Sequence, residues 1–84
     1  HLAAHFPEPE TVRELTVGTR LNLGRMLLDL GRLDDARDCL DPCERELAER
    51  VERYPAVASY RRDLARVLTL QTVRLALLDR TAET

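Results

Sequence analysis

The sequence predicts an all-α fold: antiparallel helical hairpins stacked as an α-solenoid, with three main helices. Three observations carry that prediction. First, the 84-residue chain nearly repeats itself: His5-Phe6-Pro7 returns as Arg53-Tyr54-Pro55, and Leu15, Leu21, Arg25 and Leu28 return as Leu64, Leu70, Arg74 and Leu77, shifted by 49. Self-similarity at a fixed period marks units that bury their apolar face only by stacking on a neighbour. Second, apolar residues recur at spacings of three and four. Third, Pro and Gly fall between the periodic stretches, where helices start and stop.

The chain divides into residues 1–8, the tail of a preceding helix or loop; residues 9–55, a helical hairpin; and residues 56–84, the first helix of a second, incomplete unit. In the first segment Leu2-Ala3-Ala4 precedes a break bracketed by Pro7 and Pro9, since Pro drives its preceding residue out of the helical region. The first full helix is expected from Pro9 or Glu10, with Glu8, Glu10 and Glu14 placed where negative charge favours a helix N-terminus. Val12, Leu15, Thr19, Leu23, Leu27 and Leu30 form one stripe, and Val17, Leu21 and Leu28 a second. A helix apolar on two sides is sandwiched between others. It ends at Gly31, a residue suited to a left-handed cap.

The second helix is expected to start after Leu33, with Asp34 or Asp35 near its N-terminus. Leu33, Ala36, Leu40, Cys43, Leu47, Val51 and Tyr54 keep the cleanest amphipathic spacing in the chain. Pro42 interrupts it. An interior Pro removes one hydrogen bond and kinks a helix, but Asp41-Pro42-Cys43-Glu44 also reads as a restart, with Asp as N-cap and Pro at the first helical position. Because the apolar phase runs through Pro42 unbroken, one kinked helix is favoured over two. Pro55 ends it. The third helix then runs from Ala56 to Leu78 or Arg80. Tyr60, Leu64, Leu68 and Leu75 mark one face; Val67, Leu70, Val73 and Leu77 mark another that no following segment of this chain covers.

Composition narrows the function. Hydrophobic residues make up 44% and charged residues 33%, a globular balance. All 13 basic residues are Arg, which points to a GC-rich genome rather than to a function. The net charge of −2 argues against nucleic acid, whose binders carry a basic domain. Charge is unevenly spread: Asp29–Glu52 holds nine acids against four Arg, and Arg53–Arg80 six Arg against two Asp. Either neighbouring helices complement each other, or the last helix offers Arg to an acidic partner. Two Cys fit a reducing cytosol, and neither a leader nor an apolar run of membrane-spanning length is visible. A cytoplasmic location is the expectation. The chain starts at His1 without an initiator Met, so a piece excised from a longer protein is expected.

Leu23-Gly24, Leu27, Gly31, Ala36, Leu40 and Cys43 resemble the tetratricopeptide repeat, with Gly31-Arg32-Leu33-Asp34-Asp35-Ala36 similar to its turn. The resemblance covers residues 10–55 and, as a second first-helix, 56–80. It departs from the family in three ways: the closing Pro comes at Pro55 rather than near Ala48, so both helices outrun the ~34-residue unit; Thr72-Val73 stands where the second copy would carry Leu-Gly; and Pro42 sits inside the second helix. The long, Arg-rich form, with Tyr60-Arg61-Arg62-Asp63-Leu64-Ala65 after Pro55, looks like arrays of bacterial multidomain proteins. The resemblance implies a scaffolding or protein-interaction role, with a peptide or neighbouring domain held in a groove lined by Asn22, Arg25 and Asp29 and, in the second copy, by Gln71 and Arg74. Amides and an Arg fork suit a peptide backbone or carboxylate; otherwise these are solvated residues of an exposed face. The alternative function is structural: oligomerisation through the unpaired third helix, at Val67, Leu70, Val73 and Leu77.

No catalytic constellation is legible, and an enzyme is not expected. Ser59 is the only Ser and has no His and acid placed beside it. Cys39 and Cys43 stand four apart, but zinc wants about four ligands and only His1 and His5 could join them. Core packing of Cys43, with Cys39 half-buried, is the expectation. Neither a metal nor a cofactor is predicted. Phosphate-loop and dinucleotide fingerprints are absent.

Overall fold

Residues 15–83 are described by the computed structural model. They form three helices and, among the described residues, no strand: α1 (Val17–Asp29), α2 (Leu33–Arg53) and α3 (Ala58–Glu83). The expected start of the first helix at Pro9 lies outside the described residues, as do Val12 and the segment 1–8. Within them, Leu15 and Thr16 are not helical, which corrects a helix running unbroken through that point. Thr16 is the N-cap: its backbone is extended (φ −64°, ψ 160°) and its hydroxyl accepts from the Thr19 N–H. A capping hydroxyl satisfies one of the donors that a first turn leaves orphaned.

The other end of α1 follows the sequence closely. Gly31 takes φ +76°. Its N–H donates to the Leu28 carbonyl at 3.0 Å, and the Arg32 N–H to the Leu27 carbonyl at 2.8 Å. This pair of bonds is a complete Schellman motif. α2 follows at once. Asp34 and Asp35 lie in its first turn and Arg50 and Arg53 in its last, an arrangement that complements the helix dipole at both ends. α2 is one helix across Pro42. Because Pro has no N–H, the Asp38 carbonyl lacks its helical partner there.

The core sits where α2 packs between the other two. Leu21, Leu27 and Leu28 of α1, Ala36, Cys39, Leu40, Cys43 and Leu47 of α2, and Val67 of α3 are buried. The α2 stripe is the one the sequence marked, except that Tyr54 lies past the helix and is exposed. Cys39 is fully buried rather than half-buried. In α1 Leu21 and Leu28 of one stripe face the core together with Gly24 and with Leu27 of the other, whereas Val17 and Leu23 are half-buried and Thr19 and Leu30 face solvent. α1 is therefore not equally buried on two sides.

α1 and α2 approach closely because Gly24 allows it. A Cβ at position 24 would lie 2.5 Å from Cδ2 and 2.9 Å from Cγ of the fully buried Leu40. The turn into α3 uses the Val57 N–H on the Tyr54 carbonyl and the Tyr60 N–H on the Val57 carbonyl, each at 3.1 Å. α3 then starts two residues later than Ala56 and runs three beyond Arg80. Its faces differ from the expected division. Val67 is fully buried, and Leu64, Leu70 and Leu77 pack on the core, while Leu68, Val73, Leu75 and Leu78 are exposed.

Candidate functional site

The sequence placed Asn22, Arg25, Asp29, Gln71 and Arg74 in one groove. The structure puts them in two places. Asn22, Arg25 and Asp29 are exposed on α1. Gln71 is only 8% exposed and faces α2. Its amide nitrogen donates to Asp41 Oδ1 at 2.6 Å and to Glu44 Oε1 at 3.1 Å, and its carbonyl oxygen accepts from Arg74 Nε at 2.9 Å. This is a relay: two carboxylates from one face of α2 meet an amide, and the amide meets a guanidinium. Gln71 and Arg74 thus tie α2 to α3, and neither is brought beside Asn22 or Arg25.

What Arg25 does face is an earlier stretch of α3. A cavity of ≈ 330 Å³ between α1 and α3 is lined by Arg25, Ala65, Arg66, Thr69 and Leu70. Thr69 turns its hydroxyl inward, donating to the Ala65 carbonyl at 2.9 Å, so it presents a methyl to the groove. Arg25 and Arg66 form neither an ion pair nor a side-chain hydrogen bond with any described residue. The groove has a small apolar floor and two free guanidinium walls. The repeat aligned the sequences, but the helices do not pack in that alignment: Arg25 shares its groove with Arg66, and Gln71 turns to α2.

The acidic stretch of α2 and the basic stretch of α3 do not neutralise each other directly. Among the described residues no Arg of α3 forms an ion pair with an acid of α2; the Gln71 relay stands between them. The inter-helix ion pair that does form involves Arg20, which the sequence reading missed. Arg20 is 3% exposed, its Nη2 lies 2.5 Å from Glu46 Oε2, and its Nε has no hydrogen-bond partner among the described residues. Glu46 also accepts from Arg50 Nη2 at 2.9 Å, and the Arg50 guanidinium lies 5.6 Å from the Tyr60 ring centroid. Tyr54 meets Tyr60 edge-on at 6.3 Å. A signal for Arg20 existed: it stands four residues before Gly24 and seven before Leu27, on the buried side of α1.

The two thiols belong to the core. Cys39 Sγ donates to the Arg20 backbone carbonyl at 3.3 Å. Burial above all, with the neighbouring Cys43 adding to it, pushes the Cys39 thiol up to about 11. Burial also raises Cys43. Both therefore stay protonated at neutral pH, and a thiol rather than a thiolate is a poor nucleophile or metal ligand. No cluster of three or more His, Cys, Asp or Glu able to hold a metal occurs among the described residues. Nor is any described helix long and apolar enough to cross a membrane.

No protein family, curated protein or solved structure matches this chain.

Proposed function

We propose that this chain is a helical protein-interaction module that takes an acidic peptide in the groove between α1 and α3. The observation that carries this is the pair Arg25 and Arg66, both without ionic partners among the described residues, over a floor of Ala65, Thr69 and Leu70. Free guanidinium forks recognise carboxylates bidentately, and an apolar floor supplies burial that a charge patch alone lacks.

The same reading treats α1–α2 as one hairpin of a tetratricopeptide-like stack and α3 as the opening helix of the next. Three features support it: the Gly24–Leu40 approach, the fully buried Ala36 opposite, and the tight turn at Gly31. A slab 42 × 32 × 14 Å also fits helices laid side by side better than a closed bundle.

The test is fluorescence anisotropy with a labelled peptide alternating Glu and Leu and its Lys-for-Glu counterpart. The acidic peptide should bind, more weakly as salt rises, and the basic one should not. Arg25→Glu with Arg66→Glu should weaken acidic-peptide binding by at least about tenfold, while Arg74→Gln, on the α2 side, should leave it unchanged. Equal binding of both peptides, or an effect of Arg74→Gln as large as that of the double reversal, would count against the groove.

A further inference from the structure

The exposed flank of α3 carries a stripe that the groove, Ala65 apart, does not use. Arg61, Ala65, Leu68, Thr72, Leu75 and Asp79 follow one another at spacings of 4, 3, 4, 3 and 4, and all six are exposed. Leu68 and Leu75 keep 44% and 55% of their surface in water. Residues at alternating steps of three and four lie along one side of a helix, and Ala58–Glu83 contains neither Gly nor Pro to interrupt it. Thr72 donates its hydroxyl to the Leu68 carbonyl at 2.9 Å. Its polar atom is thereby satisfied within the helix, and its methyl joins the apolar surface.

The spacing reads the same in both directions, and so does the chemistry. Laid antiparallel on a copy of itself, the stripe sets Leu68 against Thr72 and Leu75 against Ala65, a large residue facing a small one each time. At the ends Arg61 meets Asp79 twice. Asp79 has no ionic partner among the described residues, and Arg61 spends one nitrogen on the Pro55 carbonyl, leaving the rest of its fork free. A parallel pairing would instead oppose Arg61 to Arg61 and Asp79 to Asp79. Isologous two-fold contacts require this kind of self-complementary patch.

We propose that this stripe is a homodimer interface, in which α3 packs antiparallel on α3 of a second copy with Arg61 clamped to Asp79 at both ends. The contact is one helix wide, so it falls at the small, reversible end of the range for protein interfaces. It shares only Ala65 with the α1–α3 groove, and it stands or falls independently of peptide binding there.

Sedimentation velocity from about 10 µM to about 1 mM tests it, with circular dichroism confirming that each variant keeps its helices. The unmodified chain should move from monomer to dimer across that range, and Leu68→Glu with Leu75→Glu should hold it monomeric. Arg61→Asp alone and Asp79→Arg alone should each weaken dimerisation about tenfold, because each puts like charges at both ends. An equimolar mixture of those two variants should recover it as a heterodimer, while the weakening by each variant alone marks the antiparallel register, because a parallel pair would already oppose like charges in the unmodified chain. A monomer at every concentration overturns the proposal, leaving the stripe for another segment or partner. A dimer insensitive to Leu68→Glu with Leu75→Glu, or a mixture no stronger than its parts, overturns it as well.

Discussion

The seam between α1 and α2 is mainly apolar atoms at close range with the buried Arg20–Glu46 ion pair beside them, whereas the seam between α2 and α3 turns on an amide hydrogen-bonded between two carboxylates. On the first, Gly24 lets α1 settle against Leu40, and Leu21, Leu27, Leu28 and Ala36 close around it. On the second, Val67 is the one fully buried apolar residue that α3 contributes among those described, and beside it Gln71 joins Asp41, Glu44 and Arg74. The difference teaches what each seam specifies. Apolar contact is strong but tolerant of direction. An amide held between two carboxylates tolerates little, because a buried polar group without its partner is expensive. The first seam is thus the more apolar, and the second adds a directional constraint on α3.

Breaking the first seam should have the largest effect. Leu40→Ala should destabilise the chain by about 2–5 kcal/mol, as buried Leu truncations do. Gly24→Ala should cost about 1–3 kcal/mol through overpacking against Leu40, less the gain in helix propensity. In the Leu40→Ala background the clash is gone, so Gly24→Ala should turn stabilising by about 1 kcal/mol. Urea unfolding of the four chains reads this as a change of sign, and additive costs would show that Gly24 does not set the approach.

The second seam should respond to charge. Gln71→Glu puts a third carboxylate beside Asp41 and Glu44 and should cost about 1–3 kcal/mol at neutral pH. The loss should shrink as the pH falls toward 4 and the introduced Glu takes up its own proton. Thermal melts of both chains at pH 7 and pH 4.5 check this. A deficit of equal size at both values would mean that the amide is not held by ionised groups.

A smaller effect sits where the core meets titration. The Cys39 thiol is raised from 9.0 to about 11 in the folded chain. Above pH 9 the unfolded chain releases this proton while the folded chain keeps it, so stability must fall as pH rises between those values. By pH 10 the loss should be about 1 kcal/mol. Cys39→Ala should flatten that decline, measured as the urea midpoint from pH 8 to pH 10, and an unchanged slope would place the thiol in water.

Much of the helix layout was legible in the residues. Gly31 announced the end of α1, since a left-handed cap admits Gly far more readily than other residues. The α2 stripe, from Leu33 to Leu47, named its own buried side. Thr16 as an N-cap was missed because the apolar phase seemed to continue upstream of it. The groove was misplaced for a different reason. A repeat tells which residues are equivalent in kind, and Gln71 and Arg74 matched Asn22 and Arg25 in kind, but it does not tell how α3 is rotated about its axis. Arg20 and Gln71 show the same gap from the other side: both polar side chains are buried because partners on α2, distant in the chain, happen to receive them.

The order of residues alone fixed the helical class, the caps at Gly31 and Pro55, and the inward stripe of α2, because these depend on interactions within a few residues. Packing decided which side of α3 stays wet, that Arg25 looks across at Arg66 rather than Arg74, and that Glu46 receives Arg20. Those outcomes hang on the rotation and offset of whole helices, and these are set by contacts between residues more than twenty positions apart.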